Sequence, residues 1–114
     1  MEKDEATKRD EESIPNLSGK EAVVLEMLLT TGRELFGLEM VEASGGLLKR
    51  GTVYVTLQRM EEKGLIESRQ EARPGAEIGI PRRLYRATGL GARAFRERQQ
   101  RYQRFSTSLI PVGG

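Results

Sequence analysis

The first third of the chain carries apolar residues at helical spacing behind a helix-start pattern. Ser18 and Glu21 stand three residues apart, as in a capping box, in which each side chain satisfies a backbone N–H group. Gly32 follows the apolar segment and is typical of a left-handed helix C-cap. The residues expected to form the buried stripe are Ala22, Val24, Leu25, Leu28 and Leu29. A first helix is therefore predicted from about residue 19 to residue 31.

A second, shorter helix is predicted over residues 36–43 and a third over residues 51–63, separated by the break Ser44-Gly45-Gly46. The inward residues of the second helix would be Phe36, Met40 and Val41. The third helix has one narrow apolar stripe, formed by Val53, Leu57 and Met60 at i, i+4 and i+7. Its opposite face carries Thr52, Val55, Gln58, Arg59 and Glu62, with Tyr54 on the flank. The third helix therefore presents a wide polar face.

A β-hairpin is predicted directly after Gly64, which ends the third helix. One strand would run over residues 65–73, a turn-rich loop over residues 74–81, and the returning strand over residues 82–87. Three helices followed by a hairpin are the layout of a winged helix-turn-helix, so the fold class is mainly α with a small β-hairpin (α+β). The commonest use of that fold is binding DNA.

A last helix is predicted from about residue 89 to residue 105, with Thr88 as its N-cap. Phe95, Tyr102 and Leu109 are spaced by seven, which is typical of a seam between helices, and Phe105 belongs to the same helix. This stripe would pack either on its own domain or on a partner helix. We favour a partner, because three short helices and a hairpin already close a core, and we predict a C-terminal dimerisation helix.

Four regions follow from this pattern. Residues 1–13 are almost all polar or charged and are expected to form a mobile tail, because they bury too little apolar surface to offset ordering entropy. Residues 14–88 would be the winged helix-turn-helix domain, residues 89–106 the dimerisation helix, and residues 107–114 a flexible tail.

Composition narrows the function classes. The 114 residues include neither cysteine nor histidine, which removes disulfides, thiolate nucleophiles, the commonest general base and the commonest metal ligand. No carboxylate pair or phosphate-binding loop appears, so we expect neither an enzyme nor a cofactor. No apolar run reaches the roughly 20 residues that span a bilayer, and the N-terminus lacks the apolar part of a signal peptide. A soluble, cytoplasmic protein without membrane contact is expected.

Charge is divided unevenly along the chain. Residues 1–48 hold five basic and eleven acidic side chains, hence −6, whereas residues 49–114 hold fourteen basic and six acidic side chains, hence +8. The basic half contains the third helix and the hairpin. This asymmetry favours a surface that meets a polyanion over a merely solvated basic helix.

The motifs resemble those of the PadR family of bacterial winged-helix transcriptional regulators, over about residues 17–96. That family typically shows Gly-Thr-(Leu/Ile)-Tyr-x-x-Leu and then Glu-x-x-Gly-Leu-Ile; this chain has matching segments over residues 51–57 and 61–66. The family's later Tyr-x-x-Thr-x-x-Gly stands here at residues 85–91. Leu38 and Val55 depart from the tyrosine and proline that members often have at these positions. The resemblance implies a regulator that dimerises through its terminal helices.

The leading hypothesis is a homodimeric repressor that reads a palindromic operator in double-stranded DNA with residues 51–63 in the major groove. Thr52, Tyr54 and Val55 would lie at the duplex; Arg59 is the best candidate for reading a base, because arginine grips guanine bidentately, and Gln58 is a weaker one. The 73–83 wing would lie on the backbone or in the minor groove. The residues expected to hold phosphates or probe that groove are Lys49, Arg50, Arg73, Arg82 and Arg83.

Each assignment has a structural alternative. Tyr54 would equally cover the core edge, Thr52 would equally be only a helix cap, and Arg59 would pair with Glu62 or Glu39. For the whole chain, the alternative is a winged-helix protein-interaction module that does not bind DNA specifically. Some PadR-like proteins bind planar drugs between tryptophans, a mode that this tryptophan-free chain does not share. A small aromatic effector between the last helices of a dimer stays open, because core packing explains Phe95, Tyr102 and Phe105 equally well.

Overall fold

The described part of the chain folds into four helices and one three-stranded antiparallel sheet. The computed structural model describes residues 14–71 and 82–109, with the backbone alone for residues 105–109. The elements in chain order are α1 (Gly19–Thr31), β1 (Leu35–Phe36), α2 (Gly37–Ala43), α3 (Val53–Glu62), β2 (Ile66–Gln70), β3 (Arg83–Ala87) and α4 (Gly89–Leu109). This is the expected winged helix-turn-helix with an additional C-terminal helix. The N-terminal tail, Arg73 and the loop over residues 74–81 lie outside the described residues.

The predicted ends of α1 and the predicted start of α4 are confirmed by their hydrogen bonds, whereas α3, predicted over residues 51–63, spans Val53–Glu62. Glu21 N donates to Ser18 Oγ at 3.2 Å, and Ser18 N donates to Glu21 Oε1 at 3.0 Å, which completes the capping box. Gly32 ends α1 in the left-handed conformation, with φ 66°. Gly91 N donates to Thr88 Oγ1 at 3.0 Å, so Thr88 is the N-cap of α4. Local sequence therefore determines where these helices begin and end.

The sheet contains a strand that the sequence does not reveal. Its order is β1-β3-β2, so the returning strand of the hairpin lies in the middle. Leu35 pairs with Tyr85 and Phe36 with Leu84. The expectation that Phe36 belongs to the second helix was wrong: it pairs in β1 and precedes α2 as its N-cap residue, where its N–H donates to Glu39 Oε1 at 2.8 Å. A two-residue strand is too short to show an alternating pattern.

The core lies between α1, α3, the inner face of the sheet and the first turns of α4. Val53, Leu57 and Met60 are at most 1 % exposed, which confirms the stripe predicted for α3. Leu29 was expected in the core of α1, but it is 37 % exposed, because it lies near the end of the helix beside an open groove. The buried apolar cluster comprises Val24, Leu25, Leu28, Leu35, Met40, Leu48, Val53, Leu57, Met60, Leu65, Ile66, Tyr85 and Ala94.

The last helix packs on the domain only through its first turns. Gly91 lies so close to the Leu65 carbonyl oxygen that a Cβ there would overlap it. Ala94 is buried, whereas every residue over 99–104 is exposed. The helix ends at Leu109, so residues 107–109 belong to α4 and not to the flexible tail that the sequence predicts there. None of the helices in the described ranges is both long and apolar enough to cross a bilayer.

Candidate nucleic-acid interface

The outward face of α3 is exposed along its whole length. Val55, Gln58 and Arg59 lie opposite the buried residues of this helix, at the spacing that puts them on one stripe. Glu62 continues the stripe at the end of the helix. A helix about 10–12 Å across fits the major groove of B-DNA, so this face has the size and exposure that groove binding requires.

Thr52 and Tyr54, at the start of α3, were each predicted either to contact DNA or to have only a structural role. Thr52 is the N-cap residue, but its side chain makes no capping hydrogen bond, and it is exposed. The Tyr54 ring is 49 % exposed and lies against Gly37, where an added Cβ would meet the ring at 2.8 Å. Tyr54 therefore both covers the start of α2 and presents part of its ring to solvent.

Three cations around α3 have positive charge that no described side chain neutralises. Lys49, Arg50 and Arg59 are exposed, and within residues 14–71 and 82–109 none of them has a side-chain hydrogen bond or ion pair. The pairs considered for Arg59 do not form: Glu39 instead lies 3.5 Å from Arg33, and Glu62 is not bonded to Arg59. The residues of this recognition surface are Lys49, Arg50, Thr52, Val55, Gln58 and Arg59.

A chain of hydrogen bonds joins the wing, which is the β2–β3 hairpin, to α3. Arg83 Nε donates to Ser68 Oγ at 3.0 Å, and Ser68 Oγ donates to Glu61 Oε2 at 2.7 Å. Glu61 lies in the last turn of α3. These hydrogen bonds fix the base of the wing against α3, while Arg83 itself stays exposed beside the helix.

The outer face of the sheet carries a second set of arginines, each with an acidic partner. Arg69 binds Glu34 bidentately at 2.8 and 2.7 Å, and Arg86 donates to Glu67 on the opposite strand at 2.9 Å. The hydrogen bond from Arg69 lowers the pKa of Glu34, and the same bond raises the pKa of Arg69. We call this the paired surface; its residues are Glu34, Glu67, Arg69, Glu71, Arg82 and Arg86.

Arg82, a predicted phosphate contact, belongs to the paired surface. Its guanidinium lies 4.1 Å from the centroid of the Phe36 ring and 3.4 Å from Glu71 Oε1. Arg83, its neighbour in sequence, turns to the other face of the sheet, because successive residues of a strand alternate. The two neighbouring arginines, both predicted as phosphate contacts, therefore lie on opposite faces of the sheet.

The residues predicted for a dimer interface are described only in part. Phe95 is half-buried and packs against the core of its own domain. Tyr102 is 54 % exposed, and Arg98 lies over its ring at 4.5 Å and donates to its hydroxyl at 3.2 Å. The side chains of Phe105 and Leu109 lie outside the described residues. Tyr102 is therefore the described aromatic residue of α4 that is open to a partner helix or an aromatic effector.

Several contacts near the site were not predicted from the sequence, although Glu21 was predicted as half of the α1 capping box. Glu21 is 4 % exposed, and its second oxygen accepts a 2.9 Å hydrogen bond from Lys63 Nζ at the end of α3. Ser68 and Glu61 were likewise not singled out. Tyr85 is buried in the core, and that burial raises the pKa of its hydroxyl. In the part of the chain that is described, no group of three acidic side chains could hold a metal ion.

Comparison with known proteins finds one family model and several solved structures that are similar to this chain. The model of the transcriptional regulator PadR-like family matches residues 24–97. No curated protein matches the chain. A PadR family transcription regulator from Clostridium difficile R20291 is similar in structure, with a TM-score of 0.66 and 24% identity over 81% of this chain and 95% of that chain.

Two further structures share the fold. A PadR family transcriptional regulator from Eggerthella lenta DSM 2243 has a TM-score of 0.61 and 24% identity, covering 75% of this chain and 76% of that chain. Bacillus subtilis PadR, in a structure with operator DNA, has a TM-score of 0.59 and 18% identity, covering 69% of this chain and 45% of that chain. At such identities, the likeness concerns the fold alone.

Proposed function

Because the chain belongs to the PadR-like family of transcriptional regulators, we propose that it is a homodimeric repressor that binds a palindromic operator, with α3 in the major groove and the wing on the backbone or in the minor groove. The observation that carries the proposal is the recognition surface, an exposed helix face with cations that no side chain within residues 14–71 and 82–109 neutralises. Bacillus subtilis PadR, which shares this fold, has been captured with operator DNA.

The recognition surface divides into two chemical roles. Its cations Lys49 and Arg50, together with Arg83 on the adjacent wing, contact phosphates, which set affinity and register. Arg59 and Gln58 face base edges, where arginine matches guanine and glutamine matches adenine. The backbone N–H groups at the start of α3 favour phosphate oxygens for the same reason that any helix N-terminus does. Arg73 belongs with the phosphate contacts as an expectation from the sequence, and Arg82 contributes less, because Phe36 and Glu71 already engage it.

The exposed half of α4 supports the homodimer. Residues 99–104 of this helix are all exposed in the described part of the chain. Phe95, Tyr102, Phe105 and Leu109 would meet the same residues of the second copy in a two-fold contact. Sedimentation equilibrium should give twice the mass of one chain, and Tyr102→Glu should shift the protein toward the monomer. A monomer at micromolar concentration in the unaltered protein would contradict the dimer.

The direct test is DNA selected from a random pool by the purified protein. The selected sites should contain two inverted half-sites whose centres lie about 34–36 Å apart or a multiple of that distance. If about six phosphates per dimer are neutralised, log affinity should fall against log salt with a slope of about −0.9 per phosphate. Affinity that is independent of salt, or selected sites without two-fold symmetry, would reject this mechanism.

Repression is tested with a reporter gene whose promoter contains the selected operator. Expression should fall when the protein is present and recover when Arg59 is replaced by alanine. Increased expression would instead make the protein an activator. Failure to select any DNA, together with recovery of a specific partner protein, would favour the protein-interaction module.

A further inference from the structure

We propose that Val55 reads the methyl group of one thymine in each half-site. This contact rests on the proposed function, since it requires α3 in the major groove. It assigns a specific chemical feature of the DNA, the thymine C5-methyl group, to one residue of the recognition surface.

Packing in the core does not account for the apolar side chain of Val55. Its side chain is 51 % exposed and lies on the face opposite Val53 and Leu57, both of which are buried. The rest of the outward stripe is polar or charged, so Val55 is the one apolar residue on it within the described helix. An exposed valine by itself needs no special reason, but this one lies between the flanking cations and the base-reading candidates.

Tyr54 does not occupy the part of the outward face of α3 on which Val55 lies. Its ring packs against Gly37, at the start of α2, and this contact keeps it on the flank of α3. Val55 therefore lies nearer to the centre of the outward face. Its branched side chain has one strongly preferred χ1 rotamer in a helix, so the two methyl groups are held in a fixed direction before any DNA binds.

The major groove offers one matching group. Thymine alone among the four bases carries a methyl group on its major-groove edge, and apolar side chains recognise it by contact. Val55 and Arg59 are four residues apart, which corresponds to about 6 Å along the helix. If α3 lies along the groove, the thymine should stand about one to two base pairs from the base that Arg59 reads.

The test removes single methyl groups from the DNA. Each thymine of the selected operator is replaced in turn by deoxyuridine, symmetrically in both half-sites, and affinity is measured by fluorescence anisotropy. At one thymine per half-site the unaltered protein should lose about threefold to fivefold per methyl contact. Val55→Ala, which removes both γ-methyl groups and shortens the reach of the side chain, should lose most of the preference for thymine over deoxyuridine at that position, whereas Val55→Thr, which keeps a γ-methyl group, should retain it.

The outcomes separate the contact from the proposed function. If an operator is selected but no deoxyuridine position depends on residue 55, the methyl contact is refuted and the DNA-binding regulator stands. If no operator is selected at all, the proposed function fails and the contact fails with it. Because Val55 is exposed, Val55→Ala should keep its fold, and an unchanged circular dichroism spectrum together with an unchanged midpoint of urea unfolding verifies this.

Discussion

The recognition surface and the paired surface contain similar numbers of cations but differ in what surrounds them. Around α3, Lys49, Arg50 and Arg59 have no acidic partner among the described residues. On the outer face of the sheet, Arg69 and Arg86 each lie within 2.9 Å of a carboxylate oxygen. Of these two surfaces, only the one at α3 therefore offers cations that no described carboxylate engages, although arginine occurs in both places.

This difference shows that a count of basic residues does not locate a DNA-binding surface. A surface cation paired with a carboxylate contributes little net field at a distance, and the pair itself is worth roughly 0–1 kcal/mol at most exposed sites. The same cation without a partner can displace a condensed counterion from DNA, which is the main source of affinity. The following predictions test this contrast, beginning with the largest effect.

Removing two cations from each surface should affect DNA binding very differently. The double variant Lys49→Gln/Arg50→Gln should weaken operator binding about a hundredfold at low salt and reduce the salt slope by about 0.9 for each phosphate that is no longer neutralised. The matched control is Arg69→Gln/Arg86→Gln, which lowers the formal net charge of +2 by the same amount. It should change affinity less than about threefold, because Arg69 and Arg86 lie on the outer face of the sheet, are engaged by Glu34 and Glu67, and are not expected to meet phosphates. Equal decreases in affinity for the two variants would abolish the distinction between the surfaces.

Arg59→Ala should cost discrimination at one base pair in each half-site. A bidentate contact to guanine is worth about 1–3 kcal/mol, so preference for that base should fall about tenfold to a hundredfold. Competition binding with each base substituted in turn measures this effect. A uniform loss over all sequences would instead make Arg59 a phosphate contact.

Breaking the link between the wing and α3 should have a smaller effect. Ser68→Ala removes the hydroxyl that bonds both Arg83 and Glu61, so the Arg83 side chain should lose its fixed position beside α3 without any loss of charge. We expect operator affinity to fall about threefold to tenfold, since a hydrogen bond to a charged group is worth about 1.5–3 kcal/mol and water replaces part of it. Ser68→Thr, which keeps the hydroxyl, is the control. Unchanged affinity in Ser68→Ala would mean that the link does not matter for binding.

The Glu34–Arg69 pair of the paired surface should contribute to the free energy of unfolding, and this contribution should be lost at low pH. The pKa of Glu34 is lowered in the folded protein, chiefly by the hydrogen bond from Arg69. Its contribution to stability is therefore present above the ordinary value of 4.5 and is lost as the pH falls through the folded value. Urea unfolding should show a slightly smaller loss of stability between about pH 6 and pH 3 in Glu34→Gln than in the unaltered protein. The same loss in both would show that the pair contributes nothing.

The sequence predicted those features that depend on neighbouring residues. The capping box at Ser18, the left-handed Gly32 and the buried stripe of α3 are all encoded within a few positions, and each is confirmed. The family follows from the same local motifs. The paired surface could not be predicted, because Arg69 and Glu34 are 35 positions apart and meet only through the sheet. Arg82 and Arg83 were both predicted as phosphate contacts, because the partners that distinguish them, Phe36 and Glu71 for Arg82 and Ser68 for Arg83, are distant in the sequence.

The first turn of α4 packs on the backbone of Gly64 and Leu65, which connect α3 to β2. Thr88 N donates to the Leu65 carbonyl at 3.1 Å, Thr88 Oγ1 donates to the Gly64 carbonyl at 2.6 Å, and Gly91 leaves no gap at this junction. Tilting the terminal helix would therefore displace the end of α3 and the root of the hairpin together. In a two-fold assembly, a tilt of α4 would therefore change the distance between the two α3 helices and the angle of each helix at the same time.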